Sequence, residues 1–380
     1  MKDRNILSSI KNDLYYKYYD MDNMFILIDF FYKIKDDKTL YSFREIKEGV
    51  VFYFTLEVTD DKLIDCMVDI ADHINKIYDN SEKFDFKTVM DKSVSYIKTQ
   101  LKDGESVFVD FVFFDFKNYV LEYANFGTSR AFIEFDNYNV KELKIHNDVI
   151  TTKTSEYKIS QLDISNFTKI LFCNRNFREY YDDEILENFK HSFTKNGFIE
   201  AFQGVKVIEE NISFLYITHV KKEQCVKEVF ECSLDGVEKA NSWFEKQLEK
   251  RKIDQNLIQK IEIVFNELFL NSYEHGNLGI TSEQKERYLE EDMYFDKIVE
   301  LDAKCNKTTT VRLYDTVYKD IQYLITQIED EGDGFDSDVL FNIFKHRKML
   351  SGRGIFLSRK NSYGIHFNKK ANIVMFLQKI

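Results

Sequence analysis

The chain has 380 residues, with 65 Asp and Glu against 53 Lys and Arg for a net charge of -12, and it contains no proline. The missing proline excludes PPII linkers, collagen-like repeats and cis-proline turns. The acidic balance excludes a sequence-independent binder of nucleic acid or anionic membrane, because phosphate repulsion would go unopposed without a basic patch, and none is visible. At 44% hydrophobic and 31% charged the chain can bury a core, and its length suits two domains. Abundant Lys, Ile, Asn, Phe and Tyr read as the codon bias of an AT-rich genome.

Dense apolar and aromatic runs predict strands over residues 24–34, 50–58, 106–116, 119–125, 131–135 and 169–173, with a hairpin turn at Lys117-Asn118. Apolar residues at helical spacing predict helices over 62–78 and 86–101. A strand over 211–220, a polar break at 221–224 and a strand over 226–232 place the boundary between a domain at 1–220 and one at 225–380. Two long helices follow, over 236–250 and, capped by Asp254, from 255 to 273, with Gly276 as the stop. A charged insertion over 284–302, strands over 308–314 and 322–328, a glycine-rich turn, a helix and a strand over 372–377 complete the chain. The fold class expected is α+β, in two domains. Five scattered cysteines, an odd number without CxxC spacing, suit reduced thiols. No apolar leader or stretch of about 18 apolar residues is visible, so a soluble, cytoplasmic protein is expected.

Three clusters in the second half carry chemistry. Glu267, Asn271 and His275 recur every four residues, which places them on one helix face. Asp330-Glu331-Gly332-Asp333-Gly334 follows a strand; its glycines permit close approach, and Asp330 can accept from an exocyclic amine. An EF-hand would need a glutamate where Phe341 stands. Gly352-Arg353-Gly354 opens a helix, whose free N–H groups favour phosphate, yet it lacks the third glycine of a dinucleotide fingerprint and the lysine of a P-loop. Taken singly, these also suit a packed helix face and an acidic surface turn.

In this order and spacing the three clusters resemble the N box and two glycine boxes of the GHKL (Bergerat-fold) ATPases, and most of all the bacterial anti-sigma-factor serine kinases. The resemblance covers about 226–380. It implies an ATP- and Mg²⁺-dependent serine/threonine kinase in which Asn271 coordinates the Mg²⁺ on the nucleotide, Asp330 reads adenine, and Gly332 and Gly334 admit base and ribose. Gly352, Arg353 and Gly354 would hold the phosphates, and Glu267 would be the general base. His275 reads as a structural residue at the helix end.

The first half, about 13–220, is similar in weaker form to the metal-dependent PPM-type protein phosphatases of bacterial sporulation and stress response. Ala124-Asn125-Phe126-Gly127-Thr128, Phe172-Cys173-Asn174-Arg175 and Glu210-Asn211-Ile212-Ser213 stand where that family has its motifs, as do Ile28-Asp29-Phe30-Phe31-Tyr32 and Glu57-Val58-Thr59. The implied fold is an α/β sandwich with Mn²⁺ or Mg²⁺ held by acids. Asp29 keeps its place, whereas Tyr32, Glu57, Asn174 and Glu210 replace the aspartates. A degenerate site of Asp29, Glu57 and Glu210, with doubtful phosphatase activity, is therefore expected.

Together the resemblances imply a kinase, transferring phosphate from ATP to a small STAS-domain anti-sigma-factor antagonist or similar protein, with a sigma factor and a homodimer as further partners. The alternatives are a metal-dependent serine phosphatase regulated by a nucleotide-binding domain, and a non-enzymatic nucleotide-responsive scaffold.

Overall fold

The computed structural model describes residues 17–33, 38–79, 84–127, 129–144, 147–202, 212–335 and 353–380. Contacts group the described residues into two compact units, one drawn from 28–193 and 198–219, the other from 17–27, 194–197 and 220–380. Both mix helices and strands, so the fold class is α+β. Strands β1 (Lys17–Met21) and β2 (Met24–Lys33) come first; β1 and the opening of β2 are counted with the second unit.

The first unit continues with β3 (Thr39–Lys47), β4 (Val50–Glu57), α1 (Ile64–Asp79), α2 (Phe86–Gln100), β5 (Phe108–Asp115), β6 (Val120–Phe126), β7 (Arg130–Phe135), β8 (Val140–Glu142) and β9 (Ser160–Asp163). It ends with β10 (Phe167–Cys173), α3 (Arg175–His191), α4 (Lys195–Glu200) and β11 (Ile212–Lys221). Strands β3, β4, β5, β6 and β9 form one antiparallel sheet in that order; β2, β11, β10, β7 and β8 are successive neighbours in the other. Every residue of β4 is buried, because both faces of its sheet are covered. Phe52, Phe54 and Leu56 pack under α1 and α2, with Met67, Ile70, Ile74, Val89 and Met90 above them. The alternate residues face the second sheet, where Phe30 meets Tyr41 at 4.2 Å and Tyr53 stacks on Phe43 at 4.5 Å. On the far side Phe177, Ile185 and Phe189 of α3 pack on Leu171, Phe214 and Tyr216. The result is a helix–sheet–sheet–helix sandwich.

The second unit holds β12 (Cys225–Glu231), α5 (Leu234–Lys250), α6 (Gln255–Asn271), α7 (Ser282–Glu290), α8 (Tyr294–Asp302), β13 (Thr308–Tyr318), β14 (Ile321–Asp330), α9 (Arg353–Lys360), β15 (Gly364–Phe367) and β16 (Ile373–Lys379). Its sheet runs β12-β13-β14-β16-β15-β1, and the β15–β1 pair is parallel with Lys17 opposite Phe367. Helices α5 and α6 pack on one face, where Phe244 stacks on Phe265 at 3.9 Å above Val311, Leu313 and Phe376. The charged insertion read from the sequence is a pair of helices, because Thr281 and Gln284 form a reciprocal capping box. No described helix is long and apolar enough to cross a membrane.

Candidate functional site

Strand alternation builds a polar cluster between the two sheets of the first unit. Since Phe52, Phe54, Leu56, Val109, Phe111, Ala124 and Phe126 belong to the helix-side core, Thr55, Glu57, Asp110 and Asn125 must face the opposite sheet. Register aligns them, with Thr55 opposite Asp110 and Asp110 opposite Asn125. Asp110 accepts from the Thr55 hydroxyl at 3.1 Å, from the Ser129 hydroxyl at 2.7 Å and from the Asn125 amide. Ser129 and Asp110 line a cleft with Tyr123, Arg130 and Phe172.

Glu57, at the end of β4, is buried, and its Oε2 makes no hydrogen bond. The Arg175 N–H donates to its Oε1 at 3.2 Å, and the Arg175 Nε stands 3.8 Å from Oε2, its guanidinium lying 4.6 Å from the Phe108 ring centre. Burial and then the Asp110 charge push the Glu57 carboxyl up from 4.5 to about 7, while Arg175 pulls it down. The Asn174 side chain also bonds Glu57 and pulls its carboxyl down, while its Oδ1 accepts from the Phe177 N–H at 3.2 Å, which caps α3, and from the Ser213 N–H at 3.0 Å. Arg130 is held by Glu142 at 2.7 Å and Asp182 at 2.8 Å. Asp29 is buried on β2; Glu210 lies outside the described residues. Among the described residues no group of three or more His, Cys, Asp or Glu is arranged to hold a metal ion.

The donors present nevertheless suit a single hydrated ion. Mg²⁺ commonly takes only one or two protein carboxylates beside waters and phosphate oxygens, and Glu57 offers a buried oxygen without a hydrogen bond next to a second carboxylate. They do not suit a two-ion centre, because Arg175 already neutralises part of the charge and Asn174, whose Oδ1 accepts from two backbone N–H groups, brings no charge of its own. Asp110 and Ser129 escaped the sequence reading, which named Asn125 only as part of a motif and not as a partner of an acid. An aspartate inside the run FVDFVFFD was the available signal, since an acid in a doubly covered strand needs partners.

In the second unit the helix carrying Glu267 and Asn271 ends at Asn271 and continues as a π turn over Ser272–Asn277, with the Leu278 N–H bonded to the Tyr273 carbonyl at 2.9 Å. His275 meets the Ile280 carbonyl at the helix end. Asp330, at the end of β14, accepts from the Gly332 N–H at 2.9 Å, and burial pushes its carboxyl up from 3.8 to about 6. A Cβ on Gly276 would sit 2.3 Å from the Asp330 Cγ, and one on Gly332 would sit 2.3 Å from the Gly276 carbonyl oxygen. Gly334, at φ +76°, would place a Cβ 1.7 Å from the Lys370 carbonyl oxygen. Protein backbone and the Asp330 carboxyl thus already press on these glycines, so a side chain at any of them would clash before any ligand is considered. Asn277, also unforeseen, ties the loop together by donating to Thr309 Oγ1 at 2.9 Å and accepting from the Glu331 N–H at 3.0 Å. Gly354 opens α9 against Glu267, whose Oε2 lies 2.1 Å from where a Cβ would be. Gly352 and the Arg353 side chain lie outside the described residues.

No family model and no curated protein sequence matches the chain. Among solved structures it is similar to the RsbU and RsbW domains of a Mycobacterium tuberculosis protein, at 8% identity, covering 95% of this chain and 96% of that one with a TM-score of 0.43. It is also similar to RsbX in complex with magnesium, at 8% identity over 53% of this chain and 98% of that one with a TM-score of 0.43. The serine/threonine phosphatase Stp1 from Staphylococcus aureus shares 11% identity, over 54% of this chain and 97% of that one, with a TM-score of 0.44. Where the names of such structures state an activity, it is that of a phosphatase. That finding corrects the kinase and transferase assignment made from the sequence, with ATP as phosphate donor, and equally the expectation that phosphatase activity is doubtful. The general-base role of Glu267 belonged to that kinase reading.

Proposed function

We propose that the chain is a metal-dependent phosphoserine/phosphothreonine phosphatase of PPM type in bacterial signalling, with its second unit as a nucleotide-responsive regulator. The observation that carries the reading is Glu57, buried, without a hydrogen bond at Oε2 and pushed up to about 7 beside Asp110. Glu57 and Asp29 would hold one Mg²⁺ or Mn²⁺, with Glu210 as a further acid; the ion, when bound, supplies an activated water. The chain's own residues do the rest. Arg175 offers the guanidinium closest to Glu57 and would orient the phosphoryl group through its planar fork. Thr55, Asn125 and Ser129 fix the position of Asp110 by donating to it. Because Arg175 competes for the Glu57 charge, ion affinity is low and Mn²⁺ must be supplied in excess. A phosphorylated small STAS-domain protein suits such a role as substrate. Asn271, Asp330, Gly332, Gly334 and Gly354, with Gly352 and Arg353, would form the regulatory nucleotide site.

The test is phosphate release from a phosphoserine peptide by the full chain as Mn²⁺ is titrated. Release should rise with Mn²⁺ and fall by ~10-fold or more in Glu57→Gln, as expected when a ligand to the ion is lost. No release at any Mn²⁺ concentration, or equal release by the variant, overturns the reading.

A further inference from the structure

Helices α7 and α8 form a hairpin whose inner side is firmly anchored. Glu274, buried beyond the end of α6, accepts from both Lys285 Nζ and the Tyr294 hydroxyl, and Asp302 accepts the Leu234 N–H at 3.1 Å. Tyr294, Ile298 and Leu301 turn inward on Cys232, Tyr273 and Ile280. That spacing leaves another stripe of α8 outward. On it Phe295 and Val299, four residues apart, are 74% and 57% exposed, and Leu289 at the end of α7 is 56% exposed. Met293, between the helices, is exposed as well. Large apolar side chains gathered on a braced hairpin differ from the singly scattered ones normal to a surface.

The surroundings are acidic. Glu286, Glu290, Glu291, Asp292 and Asp296 are exposed, whereas Lys297 and Lys304 are engaged by Glu300 and Lys285 by Glu274; the one exposed arginine of the hairpin, Arg287, lies over the Tyr288 ring and is outnumbered by these acids. We infer that the outer face of this hairpin is a docking surface for a cationic amphipathic helix of a partner protein. Charge selects that occupant. A second copy of the chain would bring the same carboxylates against themselves, and nucleic acid or anionic lipid would add phosphate to them. A helix with apolar residues at i, i+3 and i+4 and Lys or Arg beside them would cover Phe295 and Val299 while pairing the acids. Because the hairpin is braced beforehand, little ordering opposes binding. None of this depends on the phosphatase reading.

The test uses fluorescence anisotropy of the full chain with a labelled Leu/Lys amphipathic helical peptide and a scrambled peptide of the same composition. The amphipathic peptide should bind ~10-fold or more tightly than the scrambled one, and Phe295→Ser/Val299→Ser should lose that preference at an unchanged melting temperature. Equal binding of both peptides, or undiminished binding by the double variant, overturns the inference. So would a dimer by light scattering that the double variant dissociates, which assigns the face to a second copy, or vesicle binding that it abolishes, which assigns it to lipid.

Discussion

Replacing Glu57 by Gln probes the inter-sheet cluster most directly. The folded chain raises this carboxyl from 4.5 to about 7, so the native state binds the proton more tightly than the unfolded state does. With the folded value above the unfolded one, stability contributed by the protonated carboxyl is full below pH 4.5 and is lost as pH rises toward about 7. The difference amounts to on the order of 3 kcal/mol, an upper figure because the side chain relaxes and Arg175 partly compensates. An amide in place of this carboxyl does not titrate, so the Glu57→Gln variant should lose this slope and gain on the wild type as pH rises from 4.5 to about 7. Removing the charge that partners Arg175 costs something once Glu57 would ionise, though Glu179 still pairs with Arg175 at 2.9 Å. The slope is therefore the readout, not the absolute difference. Trp243, the single tryptophan, lies in the second unit, so its fluorescence would miss the effect. Hydrogen exchange of β4 and β5 peptides, measured in EDTA across this pH range, would report it. Parallel slopes for wild type and variant would refute the argument that Glu57 is buried as a charge beside Asp110.

Lys169 and Glu134 face each other across β10 and β7 at 3.4 Å with side chains fully buried. Lys169→Met should destabilise the first unit by ~3–5 kcal/mol by leaving Glu134 without this cation, and adding Glu134→Gln should recover part of it in urea melts. Gly276→Ala should cost ~1–3 kcal/mol by forcing Asp330 aside, seen as a lower melting temperature of the second unit, whereas Gly279→Ala, with open space around it but at φ +69°, should cost only the ~1 kcal/mol of a left-handed alanine. Asn277→Ala removes donors to Thr308 and Thr309 and the acceptor for Glu331, and should cost ~2–3 kcal/mol in the same melts. If the second unit binds nucleotide, a nucleotide titration should raise its melting temperature, and Asp330→Asn should erase the rise.

Much of the secondary structure was legible. Alternation and aromatic content located β2, β4, β5, β6, β7 and β10 to within a few residues, and Asp254 marked the start of α6. Helix α3 was not legible, because its sequence is dominated by charge and its start depends on Asn174, which had been assigned to a metal motif. The candidate site was half legible. Glu57 and Asp29 could be named from their neighbours in the chain, but Asp110 needed the knowledge that β5 lies between β4 and β6, so that its odd polar residue faces theirs.

Composition and local periodicity were enough to establish the acidic character, the α+β class and the positions of most strands, while the grouping of Glu267, Asn271, Asp330 and Gly354 rested on a resemblance. What those residues touch was settled by tertiary packing. It set Arg175 on Glu57, packed glycines of the second unit closely against protein backbone, and joined β1 to β15, with Tyr18 taking a hydrogen bond from Gln327 at 2.9 Å. The reason is physical: hydrogen bonds and ion pairs form between groups adjacent in space, and spacing along one strand or helix carries no record of which distant segment will lie beside it.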